Sequence, residues 1–235
     1  MINQTHIVID LETMGIGTNA AIVAIGAVRI ERGQHTAEFY RIVDLASSLA
    51  HGGTTDASTI SWWLKQSPEA RAEVDGSQQP ANLYDALWGL RDFIQARDEA
   101  RLWGNGATFD LRILGEAYDA FHEPRPWDFR LERDLRTIIE LYPEAKDVGE
   151  FDGIRHHALA DACHEAKQLR KALRMHAGPA ESRTVLNDLL HQATDVLTNV
   201  DASMPERLQL ARNIEGELSN NPLLPQVERE EVSHG

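Results

Sequence analysis

In the stretch VIDLETMG, residues 8–15, the apolar run Ile7, Val8 and Ile9 leads directly into two carboxylates, Asp10 and Glu12. A spacing of two on a strand sends both side chains to one side of a sheet. Three more residues have matching chemistry. Asp110 follows WGNGATF where a helical pattern begins, and His156 and Asp161 stand five apart where a loop runs into a long helical pattern. Carboxylates gathered near a sheet edge repel one another and are costly to desolvate. Divalent cations offset both effects. Hard oxygen ligands suit Mg2+ or Mn2+, and Mg2+ takes few carboxylates together with waters and phosphate oxygens. Taken singly, each signal has an ordinary reading. A D-x-E on a strand is most often a solvated face, an Asp opening a helix a dipole partner or cap, and a His beside a helix start a surface or satisfied core residue. The joint arrangement is what points to a metal site.

These residues come from distant parts of the chain, so the elements between them must bring them together. Period-two patterning predicts strands at 6–12, 21–31 and 35–43, with Gly26 a bulge or a point of close approach. Their short links favour antiparallel pairing. A loop is expected at 51–58 and a short helix at 59–66 capped by Ser58 or Thr59, then a further turn with Ser67 as cap and Pro68 first. Leu83, Leu87, Leu90 and Ile94 recur at helical spacing within 80–98. A short strand at 101–106 is followed by helices at 108–121, 133–142 and 156–176. Three strands followed by helices alternating with short strands read as α/β with a mixed sheet.

The stretch 177–182 reads as a linker, dividing a domain at 1–177 from a helical hairpin at 183–220 and a frayed polar tail at 221–235. Val185, Leu186, Leu189, Leu190, Ala193, Val196 and Leu197 form one apolar face of that hairpin, and Ser203 and Glu206 have capping-box spacing. Such a face calls for burial, whether in a homodimer, on a partner protein or against the first domain.

The net charge of −14 argues against broad electrostatic binding to nucleic acid, while leaving room for an acidic site neutralised by cations. The single cysteine, Cys163, excludes an internal disulfide, suits a reducing cytosol, and reads as a small helical core residue. With no basic-then-apolar start and no long apolar window, neither a signal peptide nor a membrane span is expected, and a cytoplasmic location is.

IDLETMG, WGNGATFDLRIL and HHALADACHEA resemble the three exonuclease motifs of the DEDD superfamily in its DEDDh branch, which is DnaQ-like with an RNase H-like fold. The third matches H-x-A-x-x-D through His156, Ala158 and Asp161. More narrowly, TISWWLKQSPEAR, WGNGATFD and RDLRT look like a subgroup with phage DexA-type exonucleases, exodeoxyribonuclease VIII-like nuclease domains and a mycobacterial exoribonuclease family. The likeness spans roughly residues 5–175 and leaves out the C-terminal hairpin.

This resemblance implies an RNase H-like mixed sheet, three antiparallel strands then two more, flanked by helices and followed by a C-terminal helical extension. It implies a metal-dependent 3′-5′ exonuclease that releases nucleoside 5′-monophosphates from single-stranded or overhanging 3′ ends of DNA or RNA. Asp10, Glu12 and Asp161 would hold one divalent ion. Asp10 would bridge to a second, supported by Asp110 through water. His156 would be the general base, with the adjacent His157 as the fallback.

Met14, Gly15, Trp62, Trp63, Asn105 and Phe109 are the expected substrate contacts. The tryptophans suit stacking on terminal bases, although either reads equally well as core. Phe109 suits a wedge or a helix-start core position. The backbone at Gly15 offers close approach because no side chain blocks it. Lys65, Arg133 and Arg136 are candidate phosphate contacts or surface charges. Two other classes compete: a non-catalytic nucleic-acid-binding or assembly subunit, which would be expected to lose one of the five acid/base residues, and a phosphohydrolase of small nucleotides.

Overall fold

The β-branched opening of the chain becomes the central strand of a five-stranded sheet, ordered β3-β2-β1-β4-β5. β1 (His6–Thr13) pairs antiparallel with β2 (Ile22–Glu31), which pairs antiparallel with β3 (Gln34–Ile42). On its other side β1 runs parallel to β4 (Arg101–Gly104), and β4 parallel to β5 (Glu132–Asp134). Parallel pairing delivers the C-terminal ends of β1 and β4 to the same sheet edge. The computed structural model describes residues 2–76, 78–94, 99–106, 108–198 and 203–220. The chain divides into two compact units, Met1–Leu173 and Arg174–Gly235.

Alternation along β1 separates two cores in the first unit. Ile7, Ile9 and Leu11 pack with α4 (Leu83–Ile94) and α5 (Asp110–Ala120) through Leu87, Leu90, Ile113 and Leu114. Val8, Val28 and Trp103 pack with α6 (Leu135–Leu141) and the first part of α7 (Ala158–Thr198) through Leu135, Ala162, Ala166 and Leu169. Each fully buried Leu or Ile contributes about 1.5–3 kcal/mol. By the same alternation, Asp10 and Glu12 continue the Val8 side, the one that α7 covers.

α7 reaches the sheet closely because its contact face is small. Ala158, Ala162 and Ala166 are fully buried. At Gly26, the partner of Asp10, an added Cβ would lie 2.2 Å from Ala158 C and O and 2.4 Å from Leu159 N. Gly26 is therefore a point of close approach, one of the two readings its position allowed.

Other details differ from the sequence reading. Asp44 caps a helix the pattern did not reveal, α1 (Leu45–Ala50), by accepting from Ser47 N at 2.9 Å. α2 (Ala57–Trp63) starts earlier than expected and is capped by Asp56, not Ser58 or Thr59, because the Asp56 carboxylate accepts from both of their backbone N–H groups. α3 (Pro68–Arg71) has Ser67 as cap and Pro68 first. The opening of the expected helix at 133–142 goes instead into β5, and Asp134 caps α6 by accepting from Thr137 N at 3.2 Å.

The second unit holds the later part of α7 and α8 (Met204–Asn220). Helix runs through the stretch read as a linker, broken at Gly178 (φ 76, ψ 179). Of the expected apolar face, the side chains from Val185 to Leu197 lie outside the described residues, as does the polar tail 221–235. In α8, Leu210 and Asn213 are buried. Among the described residues no helix is long and apolar enough to cross a membrane.

Candidate active site

Asp110 opens α5 at the paired ends of β1 and β4. Its Oδ1 accepts from Leu11 N at 3.2 Å and its Oδ2 from Asn105 N at 3.1 Å. Gly104 makes room, since a Cβ there would stand 3.0 Å from Asp110 Oδ2. The carboxylate is thus tied to the strand bearing Asp10 and Glu12 and to the turn after β4. Asp110 and Glu12 are buried, and Asp10 is partly exposed.

Asp161 lies in the first turn of α7, where its Oδ2 accepts from His156 N at 2.7 Å. His156 takes a left-handed backbone (φ 64), uncommon for a residue with a side chain and held here by that bond. One nitrogen of His156 and one oxygen each of Glu12 and Asp161 lie within 4.8 Å of one another. The His156 ring meets Trp62 edge-on, centroids 4.7 Å apart.

His157 faces other partners. Its Nδ1 accepts from Ala160 N at 3.4 Å, and its carbonyl accepts from Asp161 N at 3.0 Å, so it caps α7. The ring stacks on Tyr40 with centroids 4.6 Å apart, and Nε2 lies 3.4 Å from Glu73 Oε1. The same Glu73 oxygen accepts from the Tyr40 hydroxyl. Of the two neighbouring histidines, His156 stands among the acids and His157 in this supporting cluster.

Burial and mutual repulsion raise the acids together. Glu12 is pushed up to about 9 by burial and then by Asp161 and Glu73. Asp10 is raised well above the carboxylate range by burial and then by Glu165 and Asp110. Burial takes Asp110 to about 6, held back by the Leu11 and Asn105 N–H groups and by Arg136. Asp161 is raised by burial, against the pull of His156 N–H and the His156 ring. A site that disfavours its own ionised acids accepts cations readily. The convergent carboxylates and imidazole fit a hard divalent ion.

Two more acids complete the cluster. Glu165, one helical turn beyond Asp161, is 6% exposed and accepts from Asn105 Nδ2 at 2.6 Å. Glu73, in the turn after α3, is 2% exposed. In both, Oε2 is buried without a hydrogen-bond partner. The i, i+4 spacing from Asp161 to Glu165 was the available sequence signal for the first. Glu73 had no local signal.

The expected substrate contacts fall into different settings. Trp62 is 40% exposed beside His156, whereas Trp63 is 3% exposed and donates from Nε1 to Thr13 O at 2.9 Å. Met14 is packed with Trp63, Ala21 and Val23. At Gly15 an added Cβ would meet Thr54 O at 2.9 Å, so the neighbouring loop itself requires the missing side chain. Phe109 packs against the α4–α5 core. Asn105 joins Asp110 to Glu165, and its Oδ1 accepts from Arg136 Nε at 3.2 Å. Arg133 donates to the Arg130 and Glu132 carbonyls at 2.7 Å each, and Lys65 is exposed. A cavity of about 350 Å³ lined by Asn19, His51, Leu83, Ile113 and Glu116 lies elsewhere, with none of the site acids in its wall.

The chain is similar to known proteins in sequence and in fold. Residues 5–173 match the family described as the 3'-5' exoribonuclease Rv2179c-like domain. The chain is 29% identical over 206 residues to the exodeoxyribonuclease of Enterobacteria phage T4, covering 73% of this chain and 90% of that protein. Among solved structures, the zinc-ion-bound form of the E. coli ExoI–ssDNA complex is similar at a TM-score of 0.52 and 15% identity, over 83% of this chain and 45% of that one. The nuclease domain of 3'hExo, a DEDDh family member bound to rAMP, matches at a TM-score of 0.47 and 14% identity, over 73% of this chain and 92% of that one. The strand order 3-2-1-4-5 with flanking helices is the RNase H-like arrangement.

Proposed function

The chain belongs to the Rv2179c-like 3'-5' exoribonuclease domain family, and from that premise we propose that it releases nucleoside 5′-monophosphates stepwise from single-stranded or overhanging 3′ ends, using two divalent ions, Mg2+ or Mn2+, and His156 as general base. One observation carries this reading: Glu12, His156 and Asp161 converge within 4.8 Å. Asp10 and Asp110 support it, through their electrostatic coupling to that group.

Asp10, Glu12 and Asp161 would hold one ion, and Asp10 and Asp110 would support a second. When bound, two such ions activate the attacking water and stabilise charge on the phosphate oxygens and the leaving alkoxide. His156 would accept, at a ring nitrogen, the proton that the water gives up. Its backbone bond to Asp161 keeps the base and the metal ligands in register. Trp62 offers an exposed face to a terminal base. Arg136, braced by Asn105, offers a cation to a phosphate in an otherwise acidic chain.

The family description speaks of RNA and the phage T4 relative of DNA, so both polymers are substrates to compare. The test is a time course on 3′- and 5′-labelled DNA and RNA oligonucleotides in Mg2+, Mn2+ or EDTA. Stepwise shortening from the 3′ end only with metal is expected. Asp10→Asn should lower the rate about a thousandfold or more, the equivalent of the several kcal/mol a metal contributes. Full activity in EDTA or in that variant overturns the reading.

A further inference from the structure

We propose that His35, Glu38 and Cys163 form a second metal site, distinct from the acids around Asp10, that takes one Zn2+ ion between the edge strand β3 and α7. Two of the ligands come from the strand and the third from the helix that packs over its face.

The strand places its pair through an irregularity. Residues three apart on a regular strand point to opposite faces of the sheet. Between β2 and β3 the register shifts: Arg29 pairs with Ala37 and Ile30 with His35, so Thr36 is the extra residue of a β-bulge. The bulge brings His35 and Glu38 to one face, opposite Ile30 and Val28. Ile30 and Val28 pack with Ala162, Ala166 and Leu169 of α7, and Cys163 packs against the same cluster. Cys163 is two residues beyond Asp161, so the two side chains do not share a helix face. One ligand atom from each of His35, Glu38 and Cys163 lies within 4.8 Å of the others. His35 Nε2 stands 3.0 Å and Cys163 Sγ 3.7 Å from Glu38 Oε1. Around a tetrahedral Zn2+ with its usual bond lengths, these separations are about 3.4 Å and about 3.6 Å. Nitrogen, sulfur and oxygen donors together select a borderline-soft ion over the hard Mg2+ that suits Asp10 and Glu12. Glu38 is exposed, which leaves a fourth position open to water. Binding would release to solvent the thiol proton that Cys163 now donates to Glu38. The competing reading is a hydrogen-bonded trio that needs no ion, and the two differ in what Cys163 does when metal is added.

The test adds Co2+, a spectroscopic stand-in for Zn2+, to the reduced protein in excess Mg2+. Cys163 is the only cysteine, so a near-ultraviolet thiolate-to-cobalt charge-transfer band reports this site alone. The band should saturate at one equivalent, vanish on addition of Zn2+, be absent from Cys163→Ser and persist in Asp10→Asn. His35→Ala and Glu38→Gln should each raise the half-saturating Co2+ concentration at least tenfold, since even the outer partners of a metal are worth about 10–100-fold. Zn2+ in the same Mg2+ buffer should raise the Tm of wild type more than that of Cys163→Ser. Wild type that shows no band, or a half-saturation point unchanged in either variant, overturns the three-ligand site. Glu38→Gln changes an exposed position and is expected to melt in EDTA as wild type does, so it decides alone should His35→Ala fail to fold.

Discussion

Gly26 on β2 and Ala158 at the start of α7 meet backbone to backbone: a β-carbon on Gly26 would stand 2.2 Å from the Ala158 carbonyl carbon and oxygen. The contact lies opposite Asp10, the cross-strand partner of Gly26. It sets the distance between the strand that carries two of the acids and the helix that carries Asp161 and Glu165.

Gly26→Ala should therefore damage both fold and site. A methyl group forced against backbone cannot be accommodated by a rotamer change, and overpacking of this kind costs about 3 kcal/mol or more. Tm is expected to fall by about 6–12 °C, with a reduced stabilisation by Mn2+. Calorimetry in EDTA and in Mn2+ measures both. A wild-type Tm would show that α7 can shift without loss.

The two adjacent histidines should separate in function. His156→Ala is expected to lower kcat about 10²–10⁴-fold while Mn2+ still binds, as loss of a general base does. His157→Ala removes the cap on α7 and the stack on Tyr40, at a cost of about 1–2 kcal/mol in urea unfolding. Its kcat should stay closer to that of wild type. The reverse pattern would assign the base to His157.

Trp62 and Trp63 are neighbours with different duties. Trp62→Ala should weaken binding of single-stranded oligonucleotides by about 1–3 kcal/mol, a 5–150-fold rise in KM, and leave Tm nearly unchanged. Trp63→Ala removes a buried ring and its bond to Thr13, costing about 3–5 kcal/mol of stability. KM and melting curves on both variants decide the assignment.

The acid cluster should make the metal-free protein pH-sensitive in one direction. Glu12, Glu165 and Asp110 are raised to about 9, 8 and 6, and Asp10 and Asp161 are also raised. A group whose folded value lies above its unfolded value holds a proton that the unfolded chain has released. Stability is then fully present below the unfolded values near pH 4 and is lost as pH rises toward 9. Tm in EDTA should fall from pH 5 to pH 9. The gain in Tm from Mn2+ should grow over the same window, because the ion replaces those protons. A flat or rising Tm in EDTA would contradict the repulsion inferred among these groups.

The amino-acid sequence determined, by itself, what depends on residue type and local period. Ile7 to Glu12 alternate as a strand must when one face turns acidic. Leu83, Leu87, Leu90 and Ile94 repeat as a helix must when one face is buried. The motifs around Asp10, Asp110 and Asp161 were legible because acids at short, fixed spacings stand out against the apolar runs beside them. β5 was hidden because three residues are too few for a period to show, and its pairing with β4 is what holds it extended. Tertiary structure alone decided which of two similar neighbours faces the acids. His156 and His157 part ways through the left-handed turn at His156 and the bond from its N–H to Asp161. Trp62 and Trp63 part ways because a short helix has one buried side. Glu73 and Glu165 joined the cluster only through packing, brought from the turn after α3 and from the second turn of α7 to meet β1. Repulsion and desolvation act through space, and no spacing along the chain reports a distance set by where a glycine lets a helix rest on a sheet.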